Sequence, residues 1–208
     1  MFNYVASVEY NVNAVSDEDA IDRRQGRRPM PDLEFRCTVA PDMHKTEFEN
    51  KNRSWFHFRV RGAHGKCLRF NIMNLNRHGK LFNQGMAPVY VSHDPAKPMP
   101  NIMTDSEQWH RVQSVFSHTS NGEFILSFWQ RIMTNDDIFF SFSYPCSVRD
   151  QTEYLDRLEK LYKREDSDSH SSNAIYFHRE LLCQTIESRK VELITISSYK
   201  GSSYSYSR

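Results

Sequence analysis

The pattern His44-Lys-Thr-Glu47 sets an imidazole and a carboxylate at HxxE spacing, at which the two can share a zinc ion. A catalytic zinc needs a third protein ligand, for which His170 or His178 could be proposed. His44, however, follows Pro41-Asp42 in a connection between extended segments, and so loose a pattern arises by chance. We read it as an ordinary polar loop. The other histidines form no HxxxH or HExxH pair, and His57, His110 and His118 read as surface or satisfied polar groups. No GxSxG, phosphate-binding loop or GxGxxG is present, and no spacing of Ser, His and Asp selects a triad. Cys37, Cys67, Cys146 and Cys183 include no CxxC, and they read as reduced core residues. No catalytic, metal-binding or substrate-binding residue is therefore assigned. One basic cluster remains, Arg23, Arg24, Arg27 and Arg28, which could grip an acidic tail or act as an import signal. The bland reading is a solvated loop neutralised by Asp17, Glu18, Asp19 and Asp22.

The elements that would position such residues are mostly strands. Phe, at 14 residues, outnumbers Leu, a bias that favours sheet over helix. Period-two alternation runs through Leu33–Val39, Phe56–Val60 and Leu68–Ile72, the last two reading as an antiparallel hairpin about Gly62–Gly65. Pro88–Ser92 and Trp109–Phe116 are further strands. Phe124–Ile132 and Ile138–Tyr144, apolar on nearly both faces, read as the strongest pair, joined at Thr134–Asp137. The predicted fold class is mainly β: an antiparallel β-sandwich, jelly-roll-like, over 33–148. Its expected core includes Phe56, Phe58, Val60, Leu68, Phe70, Ile72, Leu126, Phe128, Phe140 and Phe142. Residues 1–32 read as a segment that is partly loop. A helix with a polar linker follows at 149–173, its apolar residues Tyr154, Leu155, Leu158, Leu161 and Tyr162 at helical spacing and Ser147 or Asp150 at its start. A new strand pair occupies 174–198, turning at Glu187–Lys190, and 199–208 is a Ser/Tyr-rich tail. A formal net charge of +1 argues against a nucleic-acid binder. The longest unbroken apolar run, Ala174–Phe177, is far short of a membrane span, and no signal-type apolar stretch opens the chain.

Several long words are distinctive: Thr46-Glu-Phe-Glu-Asn-Lys-Asn-Arg-Ser-Trp-Phe-His-Phe-Arg-Val-Arg-Gly62, Phe70-Asn-Ile-Met-Asn-Leu-Asn76, and Lys80-Leu-Phe-Asn-Gln-Gly-Met-Ala-Pro88. With Phe139-Phe-Ser-Phe-Ser-Tyr-Pro145 they resemble the N-terminal domain of the cytosolic carboxypeptidases, closest to the cytosolic carboxypeptidase 5 branch of tubulin deglutamylases. Ile175–Cys183 and Val191–Ile196 resemble the hairpin that opens the family's carboxypeptidase domain. The resemblance covers roughly residues 30–201. It implies an all-β domain packed on an α/β zinc carboxypeptidase domain that removes glutamates, including branch-point glutamates, from tubulin and other polyglutamylated proteins. It implies zinc as cofactor in the full-length enzyme, with zinc activating water and a glutamate as general base. It implies a cytoplasmic location, with microtubules and nucleus as further sites, and no nucleic-acid or membrane partner. The family's HPGE-type zinc segment is not matched: after Ser198 the chain reads Tyr199-Lys-Gly201 and a Ser/Tyr tail. The expectation is a chain without zinc ligands and inactive alone, able to dimerise through an exposed 174–198 hairpin. Two alternatives stay open, a non-catalytic sandwich that binds tubulin or a protein partner, and a sugar-binding sandwich.

Overall fold

A computed structural model describes residues 5–10, 31–77, 79–100, 105–162, 175–186 and 188–198. The basic cluster at Arg23–Arg28, the polar linker and the C-terminal tail lie outside the described residues. The chain divides after Pro145 into two compact units.

Among the described residues the first unit holds nine strands: β1 (Val5–Tyr10), β2 (Leu33–Val39), β3 (His57–Val60), β4 (Cys67–Ile72), β5 (Val89–His93), β6 (His110–Arg111), β7 (Ser114–Ser120), β8 (Glu123–Arg131) and β9 (Asp137–Ser141). A short helix, α1 (Gly79–Asn83), sits between β4 and β5. The strands form a five-stranded sheet, β1-β2-β4-β8-β7, and a four-stranded sheet, β3-β9-β5-β6. Between the sheets lies an aromatic core. Phe70 stands 5.1 Å from Phe58, 5.3 Å from Phe128 and 5.0 Å from Phe140, ring centre to ring centre. Of the ten expected core residues, Phe58, Val60 and Phe142 are only partly buried and the other seven fully so.

Several details differ from expectation. Residues Val5–Tyr10, within the segment read as partly loop, form β1 on the edge of the larger sheet. The mainly β sandwich expected from the sequence is the fold found, its described strand pairs antiparallel except for β2 and β4, which run parallel. The supposed hairpin of β3 and β4 is a crossover: β3 pairs with β9, and β4 pairs with β2 and β8. Likewise β8 and β9 lie in opposite sheets, with Phe128 and Phe140 facing each other at 5.7 Å. Alternation fixes which side chains turn inward but not the strand beside them, so two strands facing across a core look like two strands paired in one sheet. The local hairpin is β7–β8, where Asn121 (φ 50°) and Gly122 (φ 81°) make the left-handed turn an Asn-Gly pair favours. Trp109–Phe116, read as one strand, is broken into β6 and β7.

Cys37 and Cys67 are buried free thiols, and burial pushes Cys37 up to about 12. Cys146 and Cys183, also expected in a core, are exposed.

The second unit contains α2 (Val148–Tyr162) and the antiparallel pair β10 (Ile175–Gln184) and β11 (Lys190–Ser198). Both residues proposed to start α2 take part. The Asp150 N–H donates to Ser147 Oγ (3.1 Å), while Asp150 Oδ2 accepts from the Ser147 N–H (2.8 Å) and hydroxyl (2.6 Å). Helix and hairpin meet at Tyr162 and Phe177, 6.2 Å apart, and at Arg179. That guanidinium reaches Asp156 (2.5 Å), Glu159 (3.7 Å) and Glu192 (2.7 Å).

Candidate functional site

The HxxE pattern sits in a tight exposed loop between β2 and β3, with Met43 and Lys45 at positive φ. His44 Nδ1 lies 2.9 Å from Glu49 Oε2, not from Glu47, and the Lys45 N–H donates to the same oxygen at 2.8 Å. These contacts, the Lys45 N–H foremost, hold the Glu49 carboxyl below its ordinary range. His178 stands on β10, with Glu180 3.8 Å away, and His170 lies outside the described residues. Among the described residues no three His, Cys, Asp or Glu side chains converge on a point. The described His, Cys, Asp and Glu side chains therefore do not fit a catalytic zinc.

The outer face of the five-stranded sheet carries a buried polar network that alternation alone assigns to solvent. Arg69 and Asn71 of β4 and Ser127 of β8 are all nearly inaccessible. Asn71 Oδ1 accepts from Arg69 Nε (3.1 Å) and from the Ser127 hydroxyl (2.6 Å), while the Asn71 amide donates to Glu34 Oε1 (2.6 Å). The Arg69 guanidinium also lies 5.0 Å from the Trp129 ring and 5.6 Å from the Phe116 ring. With the carboxylate of β2 and the rings of β7 and β8 all engaged, this network ties four strands together. The one signal in the sequence was the apolar character of Phe124–Ile132 on both faces, which requires that the outer face be covered too.

At the end of the same sheet, where Cys67 pairs with Arg131, a groove of about 290 Å³ opens. It is lined by Trp129, Gln130 and Arg131 of β8, Gln113 and Ser114 at the start of β7, and Tyr90 of β5. The Cys67 thiol also borders it; burial raises its pKa, against which Arg131 acts. Nothing in the sequence marked this groove, because its residues come from four separate strands and loops.

The comparisons with known proteins fall on this same sandwich. The family model of the cytosolic carboxypeptidase N-terminal domain matches residues 11–142, ending one residue beyond β9. The chain belongs to the cytosolic carboxypeptidase family. Human cytosolic carboxypeptidase-like protein 5 is 42% identical over 178 residues, covering 82% of this chain and 19% of the relative. The mouse protein of the same name is 40% identical over 183 residues, covering 85% of this chain and 19% of the relative. The chain thus spans about a fifth of the length of these cytosolic carboxypeptidase relatives. Among solved structures, a metallo-carboxypeptidase from Burkholderia cenocepacia superimposes with a TM-score of 0.49 at 16% identity, over 78% of this chain and 33% of that one. The family resemblance carried by the words between Thr46 and Pro145 is borne out. Among the described residues, no helix is long and apolar enough to cross a membrane.

Proposed function

We propose that this chain is the accessory sandwich, with the opening strands of the catalytic domain, of a zinc metallocarboxypeptidase that removes glutamates from polyglutamylated tubulin and other proteins, branch-point glutamates included. The observation that carries the reading is the family match over 11–142, from before β2 to just past β9, joined to 40–42% identity with relatives named cytosolic carboxypeptidase-like protein 5. The working site is the cytoplasm, with microtubules as the surface on which acidic tails are met. The role of residues 1–208 is to fold and present, not to hydrolyse. A metal-dependent hydrolytic centre needs three protein ligands, and among the described residues no three His, Cys, Asp or Glu side chains come together.

The reading is tested by depleting the protein from cells of its source and measuring tubulin tails by mass spectrometry. Longer glutamate chains and retained branch-point glutamates are expected. Tails indistinguishable from those of untreated cells would overturn it.

A further inference from the structure

We propose that the groove at the Cys67–Arg131 end of the sandwich is a binding site for a carboxylate, with Arg131 as its cationic anchor. In giving that carboxylate to an acidic side chain, the inference rests on the function proposed above. Three observations carry it. Arg131 is exposed and has no acidic partner among the described residues; its guanidinium only donates to Gly65 O, at 3.4 Å. Arg59, Arg61, Arg69 and Arg179, by contrast, all stand against carboxylates. Next, the groove is furnished with hydrogen-bonding groups that are not otherwise spent. The Tyr90 phenol, the Gln113 amide and the Ser114 hydroxyl make no side-chain hydrogen bond among the described residues, and no described lining residue is acidic. Finally, the frame is fixed. Gly65 N–H donates to Ile132 O (2.8 Å), Ile132 N–H donates to Lys66 O (2.9 Å), and the Gln130 amide donates to Arg131 O (3.0 Å).

A single guanidinium with neutral donors around it suits a charge-assisted pair with a carboxylate, and the volume, about 290 Å³, suits one side chain or one small acid. Neutral sugars would leave the guanidinium without a counterpart, and a cation would meet it as a like charge. The carboxylate can arrive on a peptide or as a free amino acid; the chemistry at Arg131 is shared.

The test is calorimetric titration of the purified chain with a short oligoglutamate peptide, with free glutamate and with oligoglutamine. Oligoglutamate should bind saturably and oligoglutamine should not. Arg131→Gln should weaken binding roughly tenfold, the loss expected for one charge-assisted contact. Tyr90→Phe should weaken it less. Arg77→Gln, whose guanidinium instead donates to Gly122 O, should leave it unchanged. Free glutamate binding as well as the peptide, with the same dependence on Arg131, supports the site and assigns it to the free acid. No binding of either acid, or equal binding by Arg131→Gln, overturns it. Unchanged tubulin tails in depleted cells, with Arg131-dependent binding intact, would remove the deglutamylase reading alone. Altered tails with binding indifferent to Arg131 would remove the groove alone.

Discussion

Asp137 opens β9 at 3% exposure and takes two bonds from Arg61, at 2.7 and 2.8 Å, with Arg59 at 3.4 Å. The Arg61 hydrogen bonds hold its carboxyl below the ordinary Asp range. A carboxyl whose pKa is lowered by folding contributes stability that is whole above its unfolded value, about 4, and is lost as pH falls through the folded value. Chemical denaturation of the wild type should therefore show stability dropping below that pH, and Asp137→Asn should flatten this part of the profile. An unchanged acid limb in the variant would contradict the assignment. Phe70 is the corresponding residue of the apolar interior. It is 3% exposed and touches the rings of Phe35, Phe58, Phe128 and Phe140. Phe70→Ala should cost about 3–5 kcal/mol in urea unfolding, since four rings cannot close the cavity. A midpoint that does not move would place Phe70 outside the core.

The element scale separates what the sequence can say from what it cannot. Alternation at Phe56–Val60, Leu68–Ile72 and Phe124–Ile132 told which residues turn inward, and those residues do meet in one core. It could not tell β3 facing β4 across that core from β3 paired with β4, because inward-facing sets are the same in both arrangements. The Asn121-Gly122 pair is the legible hairpin signal. Gly122 has open space where a Cβ would sit, so Gly122→Ala should cost only the left-handed backbone penalty, about 1–2 kcal/mol. Thermal unfolding checks this; a larger loss would mean that the turn also packs. The second unit makes a different point. Leu181, Leu182, Leu193 and Ile194 are 54%, 62%, 42% and 38% exposed on a two-stranded sheet. Such a pair is marginal alone. Amide exchange in the monomer should be faster in 175–198 than in β8 and β9, and concentration-dependent protection there would report pairing with a second copy. Equal protection in a dilute monomer would contradict the reading.

At the scale of the molecule, family and site were legible to different degrees. Long ordered words between Thr46 and Pro145 carried the family, because a β-sandwich's loops and strands together make an identifiable text. The groove was not legible, because Tyr90, Gln113 and Arg131 are neighbours only after the sheets close. The HxxE pattern shows the reverse: its spacing imitates a metal site, and folding hands His44 to Glu49 instead. The central claim is that these residues serve a deglutamylase as its sandwich and hold no hydrolytic centre. It is tested most directly by incubating the purified chain with zinc and polyglutamylated tubulin, then measuring bound metal and released glutamate together. The account predicts no tightly held zinc and no glutamate above a metal-free control. Stoichiometric zinc lost in His44→Ala, or turnover by the chain alone, would contradict it.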